Sequence, residues 1–170
     1  QSSSKLGWYG EVGGSSLELE FSNAVIPTNT WTHIAITYDG SAIKAYVNGI
    51  EKNSEAHSGD LSTTSNPLIL GNNSATSRSL DGKLDELRIW DEARTESEIQ
   101  DNMHKTLNGD EDNLVAYYRF DRISGTALSD CTTNDNDGTL NNMTNDDWVG
   151  STAIWKNWEG TAKSTTRGTP

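Results

Sequence analysis

The chain has 170 residues, 32% of them hydrophobic, and a formal charge of −12 from 13 Lys and Arg against 25 Asp and Glu. That length fits one domain, and the low apolar share predicts a thin core rather than a large one. An acidic surface repels phosphate and anionic lipid, and no apolar run is long enough to span a bilayer, so neither nucleic acid nor membrane insertion is expected.

Residues 5–11 read as a short strand carrying Trp8 and Tyr9, turned by Gly13 and Gly14. Residues 16–22 alternate cleanly, with Leu17, Leu19 and Phe21 inward and Glu18 and Glu20 outward, the period of a strand with one face on a core. Residues 23–29, with Pro27, read as a connection. Residues 31–49, WTHIAITYDGSAIKAYVNG, predict two half-buried strands joined at Asp39-Gly40 and closed at Asn48-Gly49. Both dipeptides tolerate the positive φ of tight type I′ turns. A further strand is expected over 50–56 with a turn at 58–60, a buried strand over 67–71, a polar loop over 72–79 and a strong strand over 80–90. Thr95 and Glu98 have capping-box spacing, and Ile99, Met103 and Leu107 follow at helical intervals up to Asn108-Gly109. A last strand is expected over 114–120, then an Asp/Asn/Gly-rich stretch and a loose polar tail. Cys131 is the single cysteine, which rules out an internal disulfide and reads as a small buried loop residue.

The hairpin resembles the centre of a laminin G-like domain, a jelly roll of the concanavalin A type. The matching pattern is an aromatic, a His, small and β-branched residues, Tyr38-Asp39-Gly40, then Tyr46-Val47-Asn48-Gly49. The segments at 67–72, PLILGN, and at 80–90, LDGKLDELRIW, match further pieces in order. The resemblance covers roughly residues 5–150 and implies an all-β fold: two antiparallel sheets in a jelly-roll sandwich with one short peripheral helix. Residues 1–150 would form that sandwich without the opening strands that such domains carry, and 151–170 a tail or linker. The missing strands would come from another polypeptide or from a segment outside these residues. The resemblance also implies a secreted or cell-surface modular protein. The start at Gln1 with a Ser-rich run fits a mature form or an excised domain.

Such folds host lectins, adhesins, enzymes and scaffolds, so function rests on the site. Hard cations want several oxygens from carboxylates, amides and carbonyls. The resemblance implies Asp85, at the head of a core strand, as a ligand for a structural calcium; Asp135 and Asp137 in NDNDG are further candidate ligands. Sugars are held by aromatic faces and by amides that bond hydroxyls. Six Trp exceed what one thin core needs. Trp31 reads as core, whereas Trp8 and Trp148 lie in less regular segments, and Asn72, Asn73 and Arg78 lie in a loop at a sandwich edge. Those five are the candidate ligand contacts. No catalytic residue is assigned: Glu18 and Glu20 share a face, but LELEFSN lacks the Glu-x-Asp-x-x-Glu signature of the jelly-roll glycosidases. The expectation is a non-catalytic module that binds polysaccharide beside neighbouring domains of a larger chain, with a protein-interaction or adhesion module completed by another polypeptide segment as the alternative and a polysaccharide-degrading enzyme domain as the third reading.

Overall fold

The structure is a computed structural model that describes residues 4–72, 80–122, 124–149, 154–156 and 162–164. Among these residues the chain is all-β, its sheets antiparallel, with a single short α-helix. It divides into two compact units: Gln1–Thr63, Glu92–Lys105 and Ala153–Lys163 form the first, and Thr64–Asp91, Thr106–Thr152 and Ser164–Pro170 the second.

In the first unit, strands β1 (Ser4–Val12) and β2 (Ser15–Ile26) form a hairpin around Gly13 and Gly14, both at positive φ. Strands β3 (Ile34–Tyr38), β4 (Ala42–Val47) and β5 (Ile50–Ala56) form a three-stranded sheet in chain order. Val12, Phe21 and Ala24 of the hairpin share one buried core with Ile43, Ala45 and Val47 of the sheet. Leu6, Trp8, Leu17 and Leu19 pack against it, so the alternation read from 16–22 does select the core face. The second strand runs on to Ile26, through what the sequence suggested was a connection. The register jumps between Lys5↔Val25 and Leu6↔Phe21, and the bulge lets Ala24 into the core.

The two turns of the central hairpin differ. Asn48 (φ 51) and Gly49 (φ 74) form the two-residue link expected between the paired Val47 and Ile50. At Asp39-Gly40 only Gly40 has a positive φ, and Ser41 joins the loop. There Asp39 Oδ1 accepts from the Ser41 N–H, the Ser41 hydroxyl and the Ala42 N–H at 2.7–2.9 Å, an Asx turn rather than type I′. Trp31 is not core. It lies 36% exposed ahead of β3, in a stretch of self-bonding threonines where Thr30 Oγ1 donates to the Thr28 carbonyl and Thr32 Oγ1 to the Thr30 carbonyl. Helix α1 (Glu96–Asn102) has the predicted capping box at Thr95 and buries Ile99. It ends at Asn102, earlier than the spacing suggested. Met103 is its C-cap, and Leu107 lies beyond it.

In the second unit, β6 (Leu87–Trp90) pairs with β7 (Leu114–Tyr118), and the two-residue strands β8 (Ala127–Leu128) and β9 (Gly138–Thr139) pair with each other. A 3-10 turn follows at Asn145–Asp147. The two faces of β7 serve separate clusters. Tyr117 packs with Leu107, Leu114, Trp90 and Cys131; Ala116 and Tyr118 pack with Leu128, Leu70, Leu87 and Trp148 among others. Two expected strands fail here. Residues 67–71 form no strand, with Leu68 65% and Ile69 42% exposed, and only the last four residues of 80–90 are extended and paired. Glu86, at φ 55, breaks the run before β6. Within the expected tail, short strands β10 (Ile154–Lys156), which belongs to the first unit, and β11 (Ala162–Ser164) pair with each other.

Candidate functional site

The outer face of the β1–β2 hairpin is an exposed surface of the first unit that sets an aromatic ring beside carboxylates. Because side chains alternate, burying Leu6 and Trp8 turns Lys5, Gly7, Tyr9 and Glu11 outward. Register sets Glu20 opposite Gly7, Glu18 opposite Tyr9 and Ser16 opposite Glu11. Tyr9 is 56% exposed. Its ring edge leans back toward Gly7: a Cβ there would stand 3.3 Å from Tyr9 Cε2. Lys5 Nζ donates to Glu20 Oε1 at 2.7 Å.

This face leads into a shallow, open groove of about 620 Å³. Gly13 and Gly14 floor one end, and Glu11, Asp60, Ser62 and Thr63 supply its polar groups. Backbone bonds hold the two walls together: Gly13 N donates to the Asp60 carbonyl at 2.9 Å and Ser62 N to the Glu11 carbonyl at 3.0 Å. The sequence signal missed here was strand parity, which puts Tyr9 on the opposite face from Trp8.

Of the five candidate ligand contacts, Trp8 is half-buried against the first core, its indole lying across Gly10. Trp148 is half-buried in the second unit, packed beside Ala116, Tyr118 and Leu128, and its Nε1 donates to the Gly125 carbonyl at 2.9 Å. Asn72 is half-buried at the bend after Leu70. Asn73 and Arg78 lie outside the described residues.

Of the candidate calcium ligands, Asp85 is half-buried ahead of β6, and Asp135 and Asp137 are exposed in the loop before β9. That loop is tied down by its own polar groups. Asp130 accepts from the backbone N–H groups of Tyr117, Thr132 and Asn136 and from the Thr132 hydroxyl at 2.8–3.1 Å. Burial pushes the Asp130 carboxyl up, but these bonds outweigh it and hold it below its ordinary range. Asp137 Oδ1 in turn accepts from Asp130 N at 2.8 Å, and the Asn134 and Asn136 amides both donate to the Val115 carbonyl. Among the described residues, no three His, Cys, Asp or Glu side chains converge as a metal cluster.

A second polar group lies buried in the second unit. Tyr117, fully buried, donates its hydroxyl to Glu86 Oε2 at 2.5 Å and accepts from Leu107 N at 3.2 Å. Arg88 Nη2 donates to the same Glu86 oxygen at 2.9 Å, and Arg119 Nη2 donates to the Leu107 carbonyl. The Arg88 and Arg119 guanidinium carbons stand 5.5 and 5.2 Å from the Tyr117 ring centroid. Desolvation raises the Glu86 carboxyl above its ordinary value despite both donors. The cluster carries buried charge on a strained residue, but its parts bond one another. Among the described residues, no helix is long and apolar enough to cross a membrane.

The chain is similar to a solved structure of a candidate carbohydrate binding protein from Bacteroides ovatus, at 26% identity and a TM-score of 0.58. The match covers 73% of this chain and 40% of that one, so the chain spans about two fifths of its relative's length. No curated protein matches it. The family model for the concanavalin A-like lectin/glucanases superfamily of laminin G type matches residues 1–100, which include the β1–β2 hairpin, the three-stranded sheet and β6. With more than half its length matched, and with its described strands paired in antiparallel sheets, the chain belongs to the laminin G-like branch of the concanavalin A-like lectin/glucanase superfamily.

Proposed function

We propose that the chain is a non-catalytic carbohydrate-binding module of a secreted or cell-surface multidomain protein, with a structural calcium. The observation that carries the reading is the likeness to a candidate carbohydrate binding protein across 73% of this chain, within a superfamily named for lectins and glucanases. The polar groove and exposed Tyr9 of the first unit add the kind of chemistry that grips sugar hydroxyls and ring faces. Two features argue against hydrolysis. Glu20 is paired with Lys5 on an open face, and the strand lacks the acid spacing of the jelly-roll glycosidases, whose two carboxylates must flank one bond. Asn72, Asn73 and Arg78 remain proposed polar contacts, and Trp8 and Trp148 proposed aromatic ones whose removal would also cost packing. Asp85, Asp135 and Asp137 remain the proposed calcium ligands. Affinity per site would be weak and made useful by tethering to neighbouring domains.

The test is a glycan array with insoluble-polysaccharide pull-downs, in calcium and again with chelator. Retention on a defined polysaccharide without release of reducing sugar is the expected result. No retention on a broad panel would overturn the reading in favour of an interaction module.

A further inference from the structure

We propose that the outer face of the β1–β2 hairpin is a sugar subsite in which Tyr9 stacks on one pyranose of a neutral polysaccharide while Glu18 and Glu11 accept its hydroxyls. This rests on the carbohydrate-binding reading and names the surface and the sugar class. Three observations on the same face converge. The Tyr9 ring is more than half exposed, on the face that strand alternation turns away from the core. Its Cε2 edge leans toward Gly7, which has no Cβ to hold that edge off: one built there would stand 3.3 Å from Cε2 and 3.9 Å from the hydroxyl. An aromatic ring more than half exposed offers the kind of apolar surface that C–H-rich sugar faces stack on. Acceptors sit at its rim: Glu18 directly opposite, at the 4.5–5.5 Å Cβ spacing typical of cross-strand pairs, and Glu11 two residues along the same strand.

Charge selects the sugar. Among the described residues of the hairpin, Glu11, Glu18 and Glu20 share this face with one cation, Lys5, which is already bonded to Glu20 at 2.7 Å. The face is therefore negative within a chain of charge −12. Uronic and sulfated sugars are repelled, whereas neutral hexoses lose nothing and gain carboxylate acceptors for their hydroxyls. The occupant is a neutral glycan chain, and its length can continue past Glu11 into the Gly13–Gly14 groove, whose polar wall is Asp60, Ser62 and Thr63.

The experiment compares the full chain with Tyr9→Thr and Tyr9→Trp by affinity electrophoresis in barley β-glucan, laminarin and yeast mannan, with polygalacturonate and heparin as acidic controls. Threonine keeps strand propensity, so thermal melting checks that the hairpin survives. The expected result is retardation by at least one neutral polysaccharide, lost about tenfold in Tyr9→Thr and kept or increased in Tyr9→Trp. Neutral binding that Tyr9→Thr leaves unchanged overturns the subsite while the carbohydrate-binding reading stands. Equal or stronger binding of the acidic controls overturns the charge argument and with it the proposed occupant. Binding of no polysaccharide by the unmutated chain overturns both. A concentration-dependent dimer in sedimentation that Tyr9→Thr dissolves would identify a second copy of the chain as the occupant, and would overturn the subsite.

Discussion

Glu86 concentrates several costs in one residue. It has a positive φ without being glycine, its side chain is only 10% exposed, and its carboxylate must serve both Arg88 and the Tyr117 hydroxyl. Desolvation wins over those two donors, so the folded pKa lies above the unfolded one. For an acid shifted that way the folded state holds its proton more tightly. Its contribution to stability is fully present below the ordinary Glu value and is lost as pH rises through the folded value. Glu86→Gln keeps an oxygen that can accept from Tyr117 but cannot ionise. Relative to the unmutated chain, that variant should therefore gain stability as pH rises from the ordinary Glu range toward neutrality. Urea melts at closely spaced pH values check this. A pH-independent difference between the two proteins would mean that Glu86 is not the group whose ionisation is penalised. The comparison must be made between the two proteins rather than on one profile. Asp130 and Glu111 are shifted downward by net backbone hydrogen bonding against burial, and contribute in the opposite sense as pH falls.

The elements that sequence reading recovered are those specified by short-range chemistry. Thr95 and Glu98 bond each other's backbone within four residues, and the helix follows. Asn48-Gly49 supplies two positive φ values at the one link that needs both. Leu17, Leu19 and Phe21 mark a core face because period two admits no other. The failures share a different cause. Residues 67–71 are apolar enough for a strand, and 80–86 carry Leu80 and Leu84 among charged residues, but a strand exists only if a neighbour completes its ladder, and no described strand pairs with either segment. Tyr9 was legible by parity, since it is the neighbour of the inward Trp8 and so takes the opposite face. The two hairpin glycines separate local strain from packing. Gly40 (φ 87) has open space where a Cβ would go, so Gly40→Ala should cost only the left-handed penalty, about 1–2 kcal/mol. At Gly49 (φ 74) a Cβ would stand 2.9 Å from both Gln100 Cγ and Met103 Sδ, and the Gln100 amide donates to the Gly49 carbonyl at 2.9 Å. Gly49→Ala should therefore add about 1–3 kcal/mol of overpacking to the same strain and loosen α1. Equal losses for the two variants in chemical denaturation would remove the helix–turn contact from the account.

At the scale of the whole molecule, the acidic excess and the thin core bear on one question, whether a cation completes the fold. A charge of −12 makes the folded chain repel itself, and any salt relieves part of that by screening. A specific site differs from screening in one respect: it acts at millimolar concentration when ionic strength is held constant. Asp85 precedes β6, while Asp135 and Asp137 sit in a loop already anchored to β7 through Asp130, Asn134 and Asn136, so a metal at either place would brace the second unit. If calcium is part of the native protein, the melting temperature in millimolar calcium should exceed that in chelator by about 5 °C, with sodium chloride added to equalise ionic strength. Asp85→Asn should abolish the increment if the metal lies before β6, and Asp137→Asn if it lies in the loop, so the pair of variants locates it. Asp137→Asn also disturbs the bond from Asp130 N, which lowers the melting temperature in chelator as well. The increment, not the absolute value, is the diagnostic quantity. Identical melting in calcium and in matched sodium chloride would reduce the acidic residues to a charge that keeps polyanions away, and would leave the sugar-binding proposal standing without a metal.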